Sequence, residues 1–360
     1  DFTRNSSATR VNSQGLIEDI TSNLPRIDYT GGVGHWLFEP QSTNLIEYSE
    51  DLSQSSWIKQ SAGAASAPSV TANFAISPEG TQNASRVVFD LNGGTTSSDF
   101  SQLQENISGT VGNDYTSSVY LKSNNSNTYS VTFIPVSGST TIITVTPEWQ
   151  RFSLSATLAS ANFRIRTRGS EGSSDVTDIL IWGAQVEEQS YATSYVPTNG
   201  STITRLQDAA NGAGNSDLIN STEGVLYFEA KTLVNGEINS NIALSDGTNN
   251  NLIMLRFGVT ANRVTAFARG SGGSYSVLTI NGVTQTDDNK FALVWDSSNF
   301  RVWVNGTERS TTTINSIPSG MNSVNFTSSS GAENFFGKTK CVAVFKESLT
   351  DAELTCLTTI

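Results

Sequence analysis

The stretch that decides the fold is residues 290–306, which read KFALVWDSSNFRVWVNG. Residues 290–295 and 300–304 are two short runs of strand-forming side chains, and each is too short for a globular helix. Residues 296–299 separate the runs as a polar hairpin turn, and Asn305-Gly306, a dipeptide suited to positive φ, starts another turn. The stretch therefore predicts antiparallel strands joined by tight turns.

The same pattern continues in both directions along the chain. Alternation of apolar and polar residues places one face of a strand on a core and the other in water. Runs of this kind are residues 85–89, 117–121, 129–134, 150–154, 162–166, 178–182, 224–230, 252–257 and 263–267. Only residues 350–357 have a helical pattern, with Thr350 as N-cap and Glu353 completing a capping box. The fold class predicted from these patterns is all-β.

The strand runs fall into three regions. Residues 1–48 have weak periodicity and several turn signals, so we expect an extended N-terminal arm that lies over another surface. Residues 49–211 and 212–360 each carry enough alternating strands for a β-sandwich, and polar stretches near residues 197–201 and 211–215 separate them. The sequence thus predicts two tandem sandwiches preceded by an arm.

Composition limits the function. The chain has 360 residues, 15% of them charged, with 21 Lys and Arg against 33 Asp and Glu, which gives a net charge of −12. This balance argues against a nucleic-acid partner, because phosphate binding requires basic surface. No apolar run approaches the ~18–20 residues that span a bilayer, so membrane insertion is not expected. The start at Asp1, without an initiator Met, favours an origin within a longer polypeptide.

Catalytic side chains are scarce. His35 is the single histidine, and its sequence neighbours Glu39 and Ser42 would point to alternating sides of an extended segment, so we expect it to pack or hydrogen-bond. A glycosidase needs two carboxyls about 5–9.5 Å apart across a cleft. Adjacent acids on a strand face opposite ways, so solvated turns or edges are expected for Glu50-Asp51, Glu187-Glu188 and Asp287-Asp288. The sequence indicates a protein that is not an enzyme.

Aromatic side chains are the candidates for ligand binding. The apolar face of a sugar stacks on a ring while polar neighbours bind its hydroxyls. Trp182 and Trp295 alternate with Ile or Val on strands and are interpreted as core residues. The carbohydrate-binding candidates, for each of which core or subunit packing is the alternative, are Tyr115, Tyr120, Tyr129, Trp149, Tyr275 and Trp303.

The first part of the chain resembles bacteriophage proteins. Residues 2–12 (FTRNSSATRVN), 25–29 (PRIDY) and 39–46 (EPQSTNLI) resemble a segment common in virion proteins. This resemblance implies a location on the virion surface, as a capsid decoration, head fibre or tail component. It further implies other virion proteins as partners through residues 1–48, and a trimeric homo-oligomer by analogy with fibres, although the chain contains no coiled-coil heptad.

Two further resemblances concern sugar-binding folds. Residues 182–188 (WGAQVEE) and 191–198 (YATSYVPT) resemble the signature that closes a jelly-roll domain similar to carbohydrate-binding modules. Residues 293–296 (LVWD), 302–306 (VWVNG) and 345–354 (FKESLTDAEL) resemble a concanavalin A-like, laminin-G-type lectin sandwich. The implied function is adhesion to host-surface glycans. The alternative is a carbohydrate-binding portion of a secreted, extracellular bacterial polysaccharide-degrading enzyme or adhesin.

No cofactor is required by this interpretation, but the jelly-roll resemblance implies a structural calcium site. Related modules place one acidic residue after the first strand and another at the start of the last strand. Asp178 fits the second position, and Glu50 and Asp51 lie near the first, where Ser53 occupies the expected acidic position. Oxygen ligands of this kind suit Ca²⁺. The alternative is that these acids are unliganded surface residues.

Two remaining features carry structural expectations. Cys341 and Cys356 either meet in a disulfide, if the terminal helix packs back on its strand, or stay as two buried free thiols. The Ser- and Thr-rich residues 310–313 and 328–331 are expected to form solvated loops.

Overall fold

The computed structural model describes residues 1–329 and 331–360 and consists mostly of strands, which confirms the all-β prediction. The strands of the first half of the chain are β1 (Phe2–Thr3), β2 (Ala8–Val11), β3 (Ile17–Ile20), β4 (Arg26–Asp28), β5 (His35–Phe38), β6 (Ser42–Asn44), β7 (Ile58–Ala62), β8 (Ser66–Ile76), β9 (Gln82–Asp90), β10 (Phe100–Asn106), β11 (Asp114–Ser123), β12 (Tyr129–Ile134), β13 (Thr141–Val145) and β14 (Gln150–Thr157). Those of the second half are β15 (Asn162–Arg168), β16 (Val176–Glu187), β17 (Ile203–Arg205), β18 (Ala209–Ala210), β19 (Gly224–Thr232), β20 (Ser240–Ser245), β21 (Leu252–Phe257), β22 (Arg263–Arg269), β23 (Ser276–Asn281), β24 (Asn289–Trp295), β25 (Asn299–Val304), β26 (Thr307–Thr313), β27 (Ser323–Asn325) and β28 (Gly337–Phe345).

Helical structure is confined to short segments. A 3₁₀ turn spans Gly169–Glu171, and the α-helix α1 spans Asp351–Thr358. The Glu353 backbone N donates to Thr350 Oγ1 at 3.4 Å, and the Thr350 backbone N donates to Glu353 Oε2 at 2.8 Å. These reciprocal bonds satisfy two backbone donors at the helix start and confirm the predicted capping box.

The chain forms two compact units. Unit 1 contains Asp1–Asn5, Thr21–Pro40 and Gln207–Ile360, and unit 2 contains Ser6–Ile20 and Gln41–Leu206. Residues 1–48, predicted as a separate arm, therefore contribute β1, β4 and β5 to unit 1 and β2, β3 and β6 to unit 2. Their weak periodicity did not reveal this, because only tertiary contacts assign the short strands to a unit. β1, β5 and β6 pair with the distant strands β18, β28 and β17, whereas β2 pairs with β3 and β4 pairs with β5.

Unit 2 is a sandwich of two five-stranded antiparallel sheets, as its strand pattern predicted. The strand orders are β13-β12-β15-β10-β7 and β14-β11-β16-β9-β8. Its core includes Trp57, Phe133 and Phe163, all at most 1% exposed. The hairpin β2–β3 packs on the outer face of the second sheet, where Ile17 joins a second cluster with Trp182. The predicted core position of Trp182 is confirmed, since its side chain is fully buried.

Unit 1 is the second sandwich. One sheet has seven strands in the order β26-β25-β24-β19-β28-β5-β4, and the other has five in the order β23-β22-β21-β20-β27. Phe228, Phe291 and Trp295 lie fully buried between the sheets, which confirms Trp295 as a core residue. Leu354 of α1 packs against Trp303 on the outer face of the seven-stranded sheet.

A buried network of ions fixes three chain segments within unit 1. Asp208 Oδ1 accepts from Arg4 Nη1 at 3.1 Å, and its Oδ2 pairs with Arg26 Nη2 and accepts from the Glu39 backbone N at 2.8 Å. Arg26 Nη1 also pairs with Glu39 Oε2 at 2.8 Å. Burial alone would lower the pKa of Arg26, but the charges of Glu39 and Asp208 outweigh burial and raise it. Two guanidinium groups and two carboxylates therefore balance one another away from water.

The cysteines and the polar runs differ from expectation. Cys341 and Cys356 are free and exposed, so neither the disulfide nor the pair of buried thiols is present. Residues 310–313 belong to the edge strand β26 rather than to a loop, because Ser and Thr are compatible with an edge that faces water. Ser328 and Ser329 are buried rather than solvated. Ser330 lies outside the described residues.

Candidate functional site

The outer face of the five-stranded sheet in unit 1 combines apolar and polar surface. Along β22, Val264 and Ala266 point into the core, so Phe267 lies on the opposite face. There Phe267, which is half-buried, packs beside the buried side chains of Leu252 and Met254. An apolar floor outside the main core is unusual in a sheet whose outer face is free to be polar.

A row of two aromatic rings with a guanidinium group at each end lies on this floor. The guanidinium carbon of Arg256 lies 5.3 Å from the ring centroid of Phe267. Phe267 meets Tyr275 edge to face at 6.0 Å between centroids, and Arg269 lies 4.5 Å from the Tyr275 ring. We call Arg256, Phe267, Tyr275 and Arg269 the arginine–aromatic row. Tyr275 is 39% exposed, which leaves part of its ring open to solvent.

Hydrogen bonds hold Arg269 in place beside Tyr275. Arg269 donates to the backbone oxygens of Gly273 at 2.6 Å, Gly272 at 3.0 Å and Asn249 at 2.9 Å. It also donates to the Tyr275 hydroxyl at 3.2 Å. The loop that carries Tyr275 is therefore tied to the end of β22, and the ring is positioned before any ligand arrives.

The other end of the row is fixed by Glu333. Arg256 Nη2 lies 2.7 Å from Glu333 Oε2, and the same oxygen accepts from Asn241 Nδ2 at 3.2 Å. Asn239 Nδ2 donates to Glu333 Oε1 at 2.9 Å. Both carboxylate oxygens thus have donors, which suits a fixed hydrogen-bonding group better than a catalytic acid. Rings next to fixed polar groups can stack on the C–H face of a sugar and bind its hydroxyls.

Of the six predicted aromatic residues, only Tyr275 belongs to this row. Tyr115, Tyr129 and Trp303 are 1%, 5% and 6% exposed, so the structure corrects their predicted role as open stacking platforms. The side chains of Tyr115 and Tyr129 lie in the core of unit 2, and Trp303 lies under α1, which is the core packing given as the alternative for each candidate.

Tyr120 and Trp149 lie together in unit 2, whereas Tyr275 belongs to unit 1. Both are half-buried members of the cluster around Trp182. Arg151 lies 5.5 Å from the Tyr120 ring, and Trp149 Nε1 donates to the Ile76 backbone oxygen at 3.1 Å. The six predicted residues are therefore distributed over both units instead of forming one surface.

Four residues of the site were missed. Phe267, Arg256, Arg269 and Glu333 were not among the candidates, although the alternation along β22 already placed Phe267 and Arg269 on one face. Glu333 could not be found in this way, because it reaches Arg256 from a loop 77 residues away.

The predicted calcium ligands do not form a shared site. Asp178 pairs with Arg86 through both oxygens, at 2.8 and 2.7 Å, and a cation there would have to displace this guanidinium. Glu50 accepts from Tyr195 Oη and Asn83 Nδ2, and Asp51 accepts from Ser53 and Gln54. Among residues 1–329 and 331–360 there is no group of three or more His, Cys, Asp or Glu side chains suited to a metal ion. The residues present therefore do not fit a calcium ion.

His35 has the hydrogen-bonding role expected for it. The ring is 4% exposed, with Nδ1 2.8 Å from the Val33 backbone oxygen and Nε2 3.1 Å from Asp288 Oδ1. Asp288 is shared with Lys231 Nζ at 3.1 Å. These contacts join β5 to the centre of the seven-stranded sheet.

One buried carboxyl in unit 2 has an unusual pKa. Burial raises the pKa of Glu105 to about 7, the charge of Glu47 adds to this, and hydrogen bonds from the Glu47 backbone N and Ser56 Oγ oppose it. A carboxyl with such a pKa could act as a general acid. No second carboxylate is hydrogen-bonded to it in the described part of the chain, so we assign it a structural role.

Glu105→Gln is expected to remove a pH dependence of stability. The folded-state pKa of Glu105 lies above the ordinary value of 4.5. Its stabilising contribution to the free energy of unfolding is therefore complete below pH 4.5 and is lost as the pH rises through about 7. Urea unfolding between pH 4 and 8 should show this decline in the parent chain and not in the variant. Glu148→Gln, which changes an exposed glutamate of the same unit, should keep the decline. An equal decline in both variants would contradict the assignment.

A family model matches the part of unit 1 that holds the row. Residues 230–355 match the model of the concanavalin A-like lectin/glucanases superfamily. The matched segment is therefore similar in sequence to that superfamily. It contains the entire arginine–aromatic row and Glu333, and it agrees with the predicted laminin-G-type sandwich. No curated protein sequence matches the chain.

The chain is also similar to several solved structures at low sequence identity and low TM-score. The sialidase CBM40 of Ruminococcus gnavus is 20% identical, with 41% of this chain and 94% of that one covered and a TM-score of 0.35. Domain 4 of the arabinanase AbnA from Geobacillus stearothermophilus is 15% identical, with 48% and 84% covered and a TM-score of 0.34. Domains LG4-5 of the mouse laminin alpha1 chain are 9% identical, with 81% and 94% covered and a TM-score of 0.27. Sequence identities and TM-scores as low as these do not identify a ligand for this chain.

No helix in the described residues is long and apolar enough to cross a membrane.

Proposed function

We propose that the chain binds carbohydrate without chemical turnover, through the arginine–aromatic row of unit 1. The observation that carries this proposal is the half-open ring of Tyr275, held between Phe267 and Arg269 on an otherwise apolar floor. A sugar ring would stack on Tyr275, and the guanidinium and amide groups around Glu333 would bind its hydroxyls. The match of residues 230–355 to a family that includes lectins supports the same assignment.

Tyr275→Ala is the test of this proposal. A glycan array with multimerised protein identifies a ligand, since multiple copies raise the effective affinity of weak sites. Titration of the monomeric chain should then show about a tenfold loss of affinity in the variant, which corresponds to about 1.4 kcal/mol. The loss follows from the removal of the only exposed ring of the row.

Phe74→Ala is the matched control. Phe74 is also 39% exposed and also lies under an arginine, with Arg86 5.1 Å from its ring, but it belongs to unit 2. This variant should bind as the parent does. A blank array with a folded multimer, or equal affinity in the Tyr275 variant, would contradict the proposal. Release of reducing ends from bound polysaccharides would contradict its non-catalytic part.

We propose the surface of a bacteriophage particle as the location, with secretion from a bacterium as the alternative. The support is the resemblance of residues 2–46 to virion segments, and host-surface glycans would be the ligands. Mass spectrometry of purified particles and of culture supernatant separates the two locations. Light scattering of the purified chain tests the trimer. Charged substitutions at the exposed Leu24 and Val33, which leave the strands of both units intact, test contact of residues 1–48 with other virion proteins.

A further inference from the structure

The central strand of one sheet in unit 2 carries a row of arginines. In β15, Phe163 and Ile165 point into the core and are fully buried, so Arg164, Arg166 and Arg168 lie on the opposite face. Alternate residues of a strand are about 6.6–6.8 Å apart. Three guanidinium groups therefore follow one another along the middle of the sheet, in a chain whose net charge is −12.

The carboxylate beside this row does not balance it. Glu171 pairs with Arg166, whose Nε lies 3.2 Å from Glu171 Oε2, and Arg168 Nη1 lies 3.9 Å from Glu171 Oε1. Thr132 Oγ1 also donates to Glu171, at 2.5 Å. One negative charge is thus shared between two guanidinium groups, and its position is fixed by a hydroxyl on the neighbouring strand.

Arg164 has no anionic partner among the described residues. This half-buried guanidinium forms no ion pair in residues 1–329 and 331–360, and its Nε is buried without a hydrogen-bond acceptor. Burial, and then the adjacent charge of Arg166, lower the pKa of Arg164, although an arginine stays protonated at neutral pH. Burying an unpaired charge is costly, so an external anion is the natural partner.

Amide side chains lie directly beside the arginines. In the antiparallel pair β10–β15, Gln104 is opposite Arg164 and Gln102 is opposite Arg166. Gln102 Nε2 donates to Gln60 Oε1 at 3.0 Å and to Gln104 Oε1 at 3.2 Å, and Gln104 Nε2 donates to Asn106 Oδ1 at 2.8 Å. The amides form a ladder across the outer face of the sheet, with atoms that suit the hydroxyls of a sugar.

We propose that this face of unit 2 binds an anionic glycan, whose carboxylate or sulfate group pairs with Arg164. The planar guanidinium matches either anion through two parallel hydrogen bonds, and the amide ladder binds the neighbouring hydroxyls. The site is separate from the arginine–aromatic row and does not depend on the function proposed for unit 1.

Binding of defined polymers to the full chain tests the proposal. The probes are polygalacturonate for carboxylate, dextran sulfate for sulfate, and dextran as the uncharged partner of dextran sulfate. We expect at least one charged polymer to bind at physiological salt and dextran not to bind at this site. Arg164→Gln should lower the affinity for that polymer at least tenfold. Its melting temperature without ligand should not fall, because Arg164 has no ion pair to lose.

Two further variants distinguish binding at Arg164 from a general effect of the protein's charge on polymer binding. Arg309→Gln removes one positive charge from an exposed arginine of unit 1 and should leave the affinity unchanged. Tyr275→Ala should also leave it unchanged, which keeps this test independent of the first site. The proposal is overturned if neither charged polymer binds or if Arg164→Gln and Arg309→Gln behave alike. If a single-stranded oligonucleotide bound equally tightly, this face would be a general polyanion-binding surface and not a glycan site, which would also overturn the proposal.

Discussion

Asp208→Ala is expected to lower the free energy of unfolding of unit 1 by about 3–5 kcal/mol. The carboxylate of Asp208 is fully buried and pairs with both Arg4 and Arg26. Without it, Arg4 and Arg26 both lose a buried carboxylate partner, while Arg26 keeps its pair with Glu39. The backbone N of Glu39 also loses its acceptor. The cost of keeping guanidinium groups buried after one carboxylate has gone, rather than the lost attraction itself, accounts for most of the expected effect.

Calorimetry of the full chain measures this change, with hydrogen exchange of β4, β5 and β18 to assign the transition to unit 1. Asp217→Ala is the control, because Asp217 is an exposed carboxylate of the same unit. It should shift the free energy of unfolding by no more than about 0.5 kcal/mol. Equal shifts in the two variants would mean that the buried network does not stabilise unit 1.

Trp182→Ala is expected to destabilise unit 2 by about 3–5 kcal/mol, the usual loss for a large aromatic residue in a core. The side chain is fully buried between the second sheet and the hairpin β2–β3. Its ring lies 4.5 Å from that of Tyr195 and 5.5 Å from that of Tyr120. The alanine variant therefore leaves a cavity where the hairpin β2–β3 meets the second sheet of unit 2.

Trp182→Phe and Trp149→Ala are informative controls, with urea unfolding followed by circular dichroism. Trp182 Nε1 is buried and forms no hydrogen bond within the described residues, so phenylalanine removes an unsatisfied donor and should cost clearly less than alanine. Trp149 belongs to the same cluster but is half-buried, so its replacement by alanine should also cost less. If Trp149→Ala lowered the free energy of unfolding as much as Trp182→Ala does, the buried fraction of these side chains would not determine the cost of replacing them.

Strand alternation explains which parts of the candidate site were predictable. It identified Trp182 and Trp295 as core residues. It did not place Tyr115 in the core, because on a strand of a sandwich the two faces are equivalent in sequence until the partner layer is known. It also gave no reason to join Arg256 to Glu333, since their contact is made by a loop that returns to the sheet from another strand.

The amino-acid sequence alone determined that this protein is built from two β-sandwiches with a capped terminal helix, because alternation, turn residues and caps act over a few neighbouring residues. Only the tertiary structure decided that residues 1–48 are divided between the two units, that Asp208 pairs with Arg4 and Arg26, and that Arg164 has no acidic partner in the part of the chain that the structure describes. The physical reason is that the burial of a charged side chain, and the partner that balances its charge, depend on which distant segments of the chain come into contact. Patterns within a few neighbouring residues do not contain that information.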